Sequence, residues 1–276
     1  MTVPYHSTIG EIRVFYVRLL PARSQMITTY ISIILFVCLV GITLLGRWVR
    51  SYLPAEHLSA DSKDAVKLAM GLVATMTAIL LGLLINSAKG TFETTRGEVI
   101  QMAAKVALLD RVLKLYGPEA MDARRVLRDA TADGVRRIWP LKGSAAVRLD
   151  PNQQMGDAVY ATIHGLSSND DTQRALKAQA TTLMMQLGEL RSLLQAQAAP
   201  SVSKPLLIAL VCWLVIIFFG FSVVAPPNAT STLALGASAF AVGCAVLLIL
   251  ELDHPFYGPI RIPSEPMTNV LNQLAK

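Results

Sequence analysis

An all-α integral membrane protein with a helical cytoplasmic domain is the fold class this sequence predicts, on three observations. The chain is 53% apolar and only 16% charged, too oily and too sparsely charged for an ordinary soluble domain. It carries four apolar stretches that can cross a bilayer core of about 30 Å, which takes roughly 20 helical residues because no backbone group finds water there. Between the second and third of these, apolar residues recur at intervals of three and four, the period of a helix rather than a strand.

Residues 1–25 form an N-terminal segment in which Arg13, Arg18 and Arg23 stand against Glu11 alone. The first span, 26–48 (MITTYISIILFVCLVGITLLGRW), is too long and begins too far from Met1 for a cleaved signal peptide. The second is 66–88, the third 205–224 and the fourth 230–252. Only APPNAT separates the last two, and its Pro-Pro-Asn core calls for a tight hairpin at one membrane face. The arginines before the first span place the N-terminus in the cytoplasm, and with it segment 89–204 and the tail 253–276. The opposite loop sets Arg47, Arg50 and Lys63 against Glu56, Asp61 and Asp64, so the charge bias is modest.

Phe92, Val99, Ala103, Val106, Leu109 and Leu113 form a stripe that continues the second span into the cytoplasm. Gly117 ends that helix and Pro118 suits the first turn of the next, which carries Val126, Leu127, Val135 and Ile138 on one side. A break over Leu141 to Gln154 precedes a short helix through Val159 and Ile163. Asn169-Asp170-Asp171 then caps a long helix whose stripe is Leu176, Leu183, Leu187, Leu190 and Leu194. These stripes call for a bundle, packed on itself or on a neighbouring subunit.

The net charge of +6 is scattered among acids and no nucleic-acid module appears, so no nucleic-acid partner is expected. Cys38, Cys212 and Cys244 lie inside apolar runs and read as small hydrophobes. The chain lacks a phosphate loop, a zinc-protease motif, paired-cysteine spacing and a nucleophile elbow. His6, His57, His164 and His254 are far apart in sequence. No enzyme, catalytic residue, metal or cofactor is predicted.

Along the second span, Gly71, Ala74, Ala78 and Gly82 form a stripe of small residues that lets another helix approach closely. Beside it runs a face of Leu72, Thr75, Ile79, Leu83 and Asn86. Ordinary intramembrane packing accounts for both faces. Alternatively, several copies around an axis would make the second face a pore, with Ile79 and Leu83 as apolar constrictions and Thr75 and Asn86 as polar groups for partly dehydrated ions. Lys89 and Glu93 would then stand at its mouth, the lysine nearer the membrane and tilting the choice slightly toward anions.

The segments SYLPAEHLSADSKDAVKLAMGLVATMTAILLGLLINSAKGTF, LLDRVLKLYGPEA, APPNAT and ELDHPFYGPIRI occur in the order expected for a bacterial membrane family of unknown function termed bestrophin-like, which this chain resembles over most of its length. The resemblance implies a bacterial inner-membrane protein and a ring-shaped homo-oligomer. Bestrophins are pentameric ion channels whose second membrane helix lines the pore with bulky apolar rings at four-residue spacing around a glycine. Thr75, Ile79 and Leu83, with Gly82 beside the last, occupy positions that resemble that neck.

The resemblance also bears on Asp253, His254, Pro255, Phe256 and Gly258, because bestrophins carry a Pro-Phe-Gly element after the last span. In the animal members an acidic run follows it and binds calcium. Here Tyr, Gly, Pro, Ile and Arg follow Phe256, and Glu265 alone cannot supply the oxygens calcium needs, so no calcium site is expected. From the residues themselves, Glu251 and Asp253 stop the fourth span at the interface, Pro255 forbids helix continuation, and Phe256 turns back into the bundle while Gly258 and Pro259 turn the chain. Asp253 and His254 would tie the tail to the bundle.

The expected function is therefore passive conduction of small monovalent inorganic ions by a homo-oligomer, a pentamer by resemblance, in contact with membrane lipid. The alternative is a non-conducting membrane scaffold or sensor whose cytoplasmic helices recruit a protein partner that the sequence does not name.

Overall fold

The computed structural model describes residues 8–54, 59–140, 147, 152–197, 202–226, 228–256 and 258–275, with side chains from Thr28 onward. Every regular element among these residues is a helix: α1 (Thr8–Tyr52), α2 (Ala60–Tyr116), α3 (Met121–Ile138), α4 (Gln153–His164), α5 (Asp171–Ala196), α6 (Lys204–Val224), α7 (Ala229–Leu252) and α8 (Glu265–Leu274). Four helices carry stretches long and apolar enough to cross a membrane: α1 (over Thr28–Tyr52), α2, α6 and α7. With 57 residues, α2 is about 85 Å long at 1.5 Å per residue, nearly three bilayer cores.

The chain divides into two compact units. One comprises Ser24–Thr91 and Pro200–Asp253, and it contains the four apolar stretches or, for α2, its first part. Its core is built from Leu35 and Leu39 of α1, Leu80, Leu84 and Ala88 of α2, Leu210, Leu214 and Phe218 of α6, and Ala239, Val246 and Ile249 of α7. Glycines permit close helix approach at two places: a Cβ on Gly46 would strike Ser222, and one on Gly220 would strike Met70. Asn228 caps α7 by accepting a hydrogen bond from the Ser231 amide at 2.9 Å, so the hairpin residue also starts the last membrane helix.

The other unit comprises Met1–Arg23, Phe92–Ala199 and His254–Lys276. Its core gathers Val99, Val106, Leu109 and Leu113 of α2 with Leu127 of α3, Val159 and Ile163 of α4, and Leu183, Leu187 and Leu194 of α5. Gly117 breaks α2 from α3 with φ of 120°, a conformation that side chains resist, and Pro118 opens a one-turn 3-10 helix before α3. Asp170 caps α5 by accepting from the Gln173 amide at 2.6 Å. On the surface of this unit, Arg124 grips Asp110 with two contacts, at 2.7 and 3.2 Å. That bond, with the attraction of the carboxylate, raises the guanidinium pKa above its ordinary value against the opposing effect of burial.

Two features of the chain ends differ from the sequence reading. The tail holds a helix, α8, whose Met267, Val270 and Leu274 are buried in the same core. Their spacing is helical and Pro266 sits in the first turn, so the signal lay within a stretch that its many prolines made look irregular. The first helix begins at Thr8, well before the apolar run, because backbone hydrogen bonding continues where hydrophobicity stops.

Candidate functional site

The two faces singled out on the second span both point away from the protomer's own core. Thr77, Leu80, Leu84 and Ala88 of α2 are buried, whereas Leu72, Thr75, Ile79, Leu83 and Asn86 are exposed, Ile79 to 70% and Leu83 to 55%. The small stripe is open as well: Ala74 is partly covered, Gly71, Ala78 and Gly82 are exposed, and a Cβ on Gly71 or Gly82 would meet nothing within 4 Å. The small residues therefore serve no close approach inside one chain, and the space beside them is free for a helix of another. Thr75 donates its hydroxyl to the Gly71 carbonyl one turn back at 2.9 Å, leaving its oxygen lone pairs facing outward. Asn86 makes no side-chain hydrogen bond among the described residues. Lys89 and Glu93 continue the same exposed face.

The far end of the hairpin is held by arginines. Arg50 donates to the carbonyls of Val223 (3.0 Å) and Val224 (2.9 Å) and to that of Ala225, the last turn of α6, where unpaired carbonyls and the negative end of the helix dipole favour a cation. Arg47 donates to Thr232 and to the carbonyls of Pro226 and Asn228. The sequence reading assigns these two charges to a loop; both lie in the last turns of α1, where they clamp the α6–α7 connection.

The acids at the end of the fourth span are buried against the protein. Glu251 and Asp253 are only 5% and 6% exposed. Glu251 accepts a hydrogen bond from Thr28 at 3.2 Å, and Asp253 accepts from the Val202 amide at 3.1 Å. Each buried carboxylate is offset by a named donor within the same unit, and their position at the end of α7 is that of residues which stop a span. Asp253 thus secures the entry to α6 within its own unit.

Beyond it the tail folds as a closed loop. The Ile262 amide donates to the Pro255 carbonyl at 2.8 Å, and Gly258 takes φ of 83° within the turn. Phe256 is buried, 3% exposed, with its ring edge-on to Trp139 at 6.1 Å between centroids. Trp139 in turn donates its indole N–H to the Ile262 carbonyl at 2.9 Å. His254, partly exposed, belongs to this unit. Sequence reasoning missed Trp139, Ile262, Thr28 and Val202; their partners lie between 51 and 223 residues away along the chain, beyond any local pattern.

Among the described residues every regular element is a helix, four are long and apolar enough to cross a membrane, and a second helical unit is closed by its own tail, the architecture of a membrane protein. It matches the family model of the Bestrophin-like domain over residues 37–267, and it belongs to that family. Among solved structures it is similar to two crystal structures of a bacterial bestrophin homologue from Klebsiella pneumoniae, each carrying one substitution. The TM-scores are 0.65 and 0.64, at 14% identity in both cases, over 88% of this chain and 97% of the homologue. That likeness establishes a shared fold. No curated protein matches the sequence.

Proposed function

We propose that the protein is an oligomeric ion channel of the bacterial inner membrane, both termini cytoplasmic, whose pore is lined by the Leu72, Thr75, Ile79, Leu83 and Asn86 face of α2. Membership of a family named for bestrophins supports the class. The observation that carries the lining is Asn86: an amide within an apolar span, exposed on the protomer and without a hydrogen bond among the described residues. Facing lipid, it would forfeit roughly 2–7 kcal/mol of hydration, whereas a water-filled pore keeps it solvated. Ile79 and Leu83, one turn apart on the same face, are the constrictions that gate by dewetting. The open stripe of Gly71, Ala74, Ala78 and Gly82 takes the neighbouring subunit's helix, and five copies close the ring. Lys89 at the mouth favours anions, with Glu93 opposing it.

The test is current across a planar bilayer holding the purified protein in asymmetric salt, with Ile79→Ala and Leu83→Ala alongside. Unitary currents whose conductance changes in the variants support a pore along α2, and the sign of the reversal potential identifies anion or cation. Silence from every protein, with the oligomer intact, transfers the reading to a membrane scaffold or sensor that recruits a protein partner.

A further inference from the structure

The unit formed by α3, α4, α5, α8 and the later part of α2 is not solid. A cavity of about 330 Å³ lies among α2, α3, α4 and α5, a size that accommodates a small organic ligand. Its walls are mainly apolar, and Met102, Met184, Met185 and Met267 contribute flexible, polarizable surface that adapts to a guest. Three of its lining residues are glycines inside helices: Gly134 of α3, Gly156 of α4 and Gly188 of α5. A Cβ on Gly134 or Gly188 would meet nothing within 4 Å, so no neighbouring atom demands a glycine there. Helix-interior glycine is destabilising relative to alanine, and here its effect is to keep the space open.

The cavity also holds charge. Arg137 lines it and is paired with Asp133 at 2.8 Å, and Asp133 also accepts from Asn152 at 3.2 Å. Arg191 lines it too, partly buried, with one guanidinium nitrogen 3.5 Å from where a Cβ on Gly156 would stand. Arg191 forms no hydrogen bond or ion pair among the described residues. Burial, reinforced by the like charge of Arg137 and opposed by the attraction of Asp133, lowers its pKa: the nearby carboxylate acts without a direct bond and does not offset the burial. Asp157 lies on the exposed rim, and with Asp133 it disfavours a doubly charged guest.

We propose that this cavity binds a small amphiphilic carboxylate, its apolar body among the methionines and its single charge on the Arg191 guanidinium, with Arg137 beside it. A monoanion supplies the directly bonded partner that Arg191 lacks, and the planar guanidinium fork suits a carboxylate.

The test uses the full chain in lipid nanodiscs with Trp48→Phe and Trp213→Phe, leaving Trp139 in the cavity wall as the only tryptophan. The probes are 8-bromooctanoate and the uncharged 8-bromooctan-1-ol, whose bromine quenches a neighbouring indole. The expected result is saturable quenching by the acid, with the alcohol and the Arg191→Gln variant each weaker by about tenfold or more, as for loss of a charge-assisted hydrogen bond. Gly188→Leu should abolish quenching while melting at the wild-type temperature or above. If it melts lower, Gly134→Leu, filling the same space from α3, carries the same expectation. Quenching that rises without saturating, or is equal in the filled variants, reports partition into lipid and overturns the site. Equal affinity for acid and alcohol overturns the role of Arg191. Absence of quenching means that the cavity is closed to small molecules, for instance by a second copy of the chain, and overturns the proposal as well.

Discussion

Replacing Phe256 by alanine tests whether the tail is a working part of the helical unit. The ring is 3% exposed and lies in the core shared by α2, α3, α4, α5 and α8. Truncating such a phenylalanine costs about 3–5 kcal/mol through lost transfer energy and the cavity left behind. About 0.5–1.5 kcal/mol of that belongs to the edge-on pairing with Trp139, read as the coupling in a double-mutant cycle with Trp139→Leu. Phe256 opens the loop closed by the bond from the Ile262 amide to the Pro255 carbonyl, and α8 follows that loop directly. A loss of 3 kcal/mol should therefore raise the opening of α8 by roughly 100-fold, since 1.4 kcal/mol is a factor of ten. Hydrogen–deuterium exchange of the amides of Glu265–Leu274, followed by mass spectrometry in nanodiscs, reads this directly. If those amides exchange within about threefold of wild type, too small a change for even 1 kcal/mol, the anchoring argument is wrong.

The remaining predictions concern single contacts. Arg50→Ala uncaps the last turn of α6 and should cost about 1.5–3 kcal/mol in denaturant unfolding, while Arg50→Lys recovers part of it because an ammonium cannot span several carbonyls as the guanidinium does. Gly117→Ala forces a side chain into φ of 120°, where its Cβ would also stand 2.8 Å from a Glu119 carboxylate oxygen. A fall of about 1–3 kcal/mol in the stability of the helical unit is expected, and an unchanged melting temperature would count against the strain. Asp170→Ala removes the cap of α5 and should cost about 1 kcal/mol, seen as faster exchange in the first turn of that helix. In the channel assay, Asn86→Leu should reduce conductance if the amide faces the pore, and leave it unchanged if the pore runs elsewhere.

How much of this could be read from the sequence follows the range of the forces involved. The apolar runs of α1, α2, α6 and α7 announce themselves because a membrane span is a property of about 20 consecutive residues. The stop at Gly117, the restart at Pro118 and the cap at Asp170 are equally local, each fixed by the chemistry of one residue on its own backbone. The second helix continues unbroken from membrane span to core because its stripe from Val99 to Leu113 never loses the helical period. The candidate face of α2 was legible as a pattern, since position on a helix follows from spacing alone.

What the pattern could not say is which face the protomer keeps. That Thr77 and Leu80 go inward while Ile79 stays exposed depends on where α1, α6 and α7 pack, and no periodicity within α2 distinguishes two apolar faces. The same limit hid the partners of Glu251 and Asp253, whose burial is tolerable only because Thr28 and the Val202 amide, distant in sequence, arrive beside them. It hid the link from Trp139 to Ile262, and the three glycines that hold a cavity open among separate helices. The sequence by itself determined the helices between the chain ends and which of them are apolar enough to enter a membrane, because hydrophobicity and backbone capping act over one or a few turns. It did not determine the tail helix α8 or the early start of α1. Only the tertiary structure decided which side chains are paired, buried or left facing out, because those outcomes depend on surfaces brought together from across the chain.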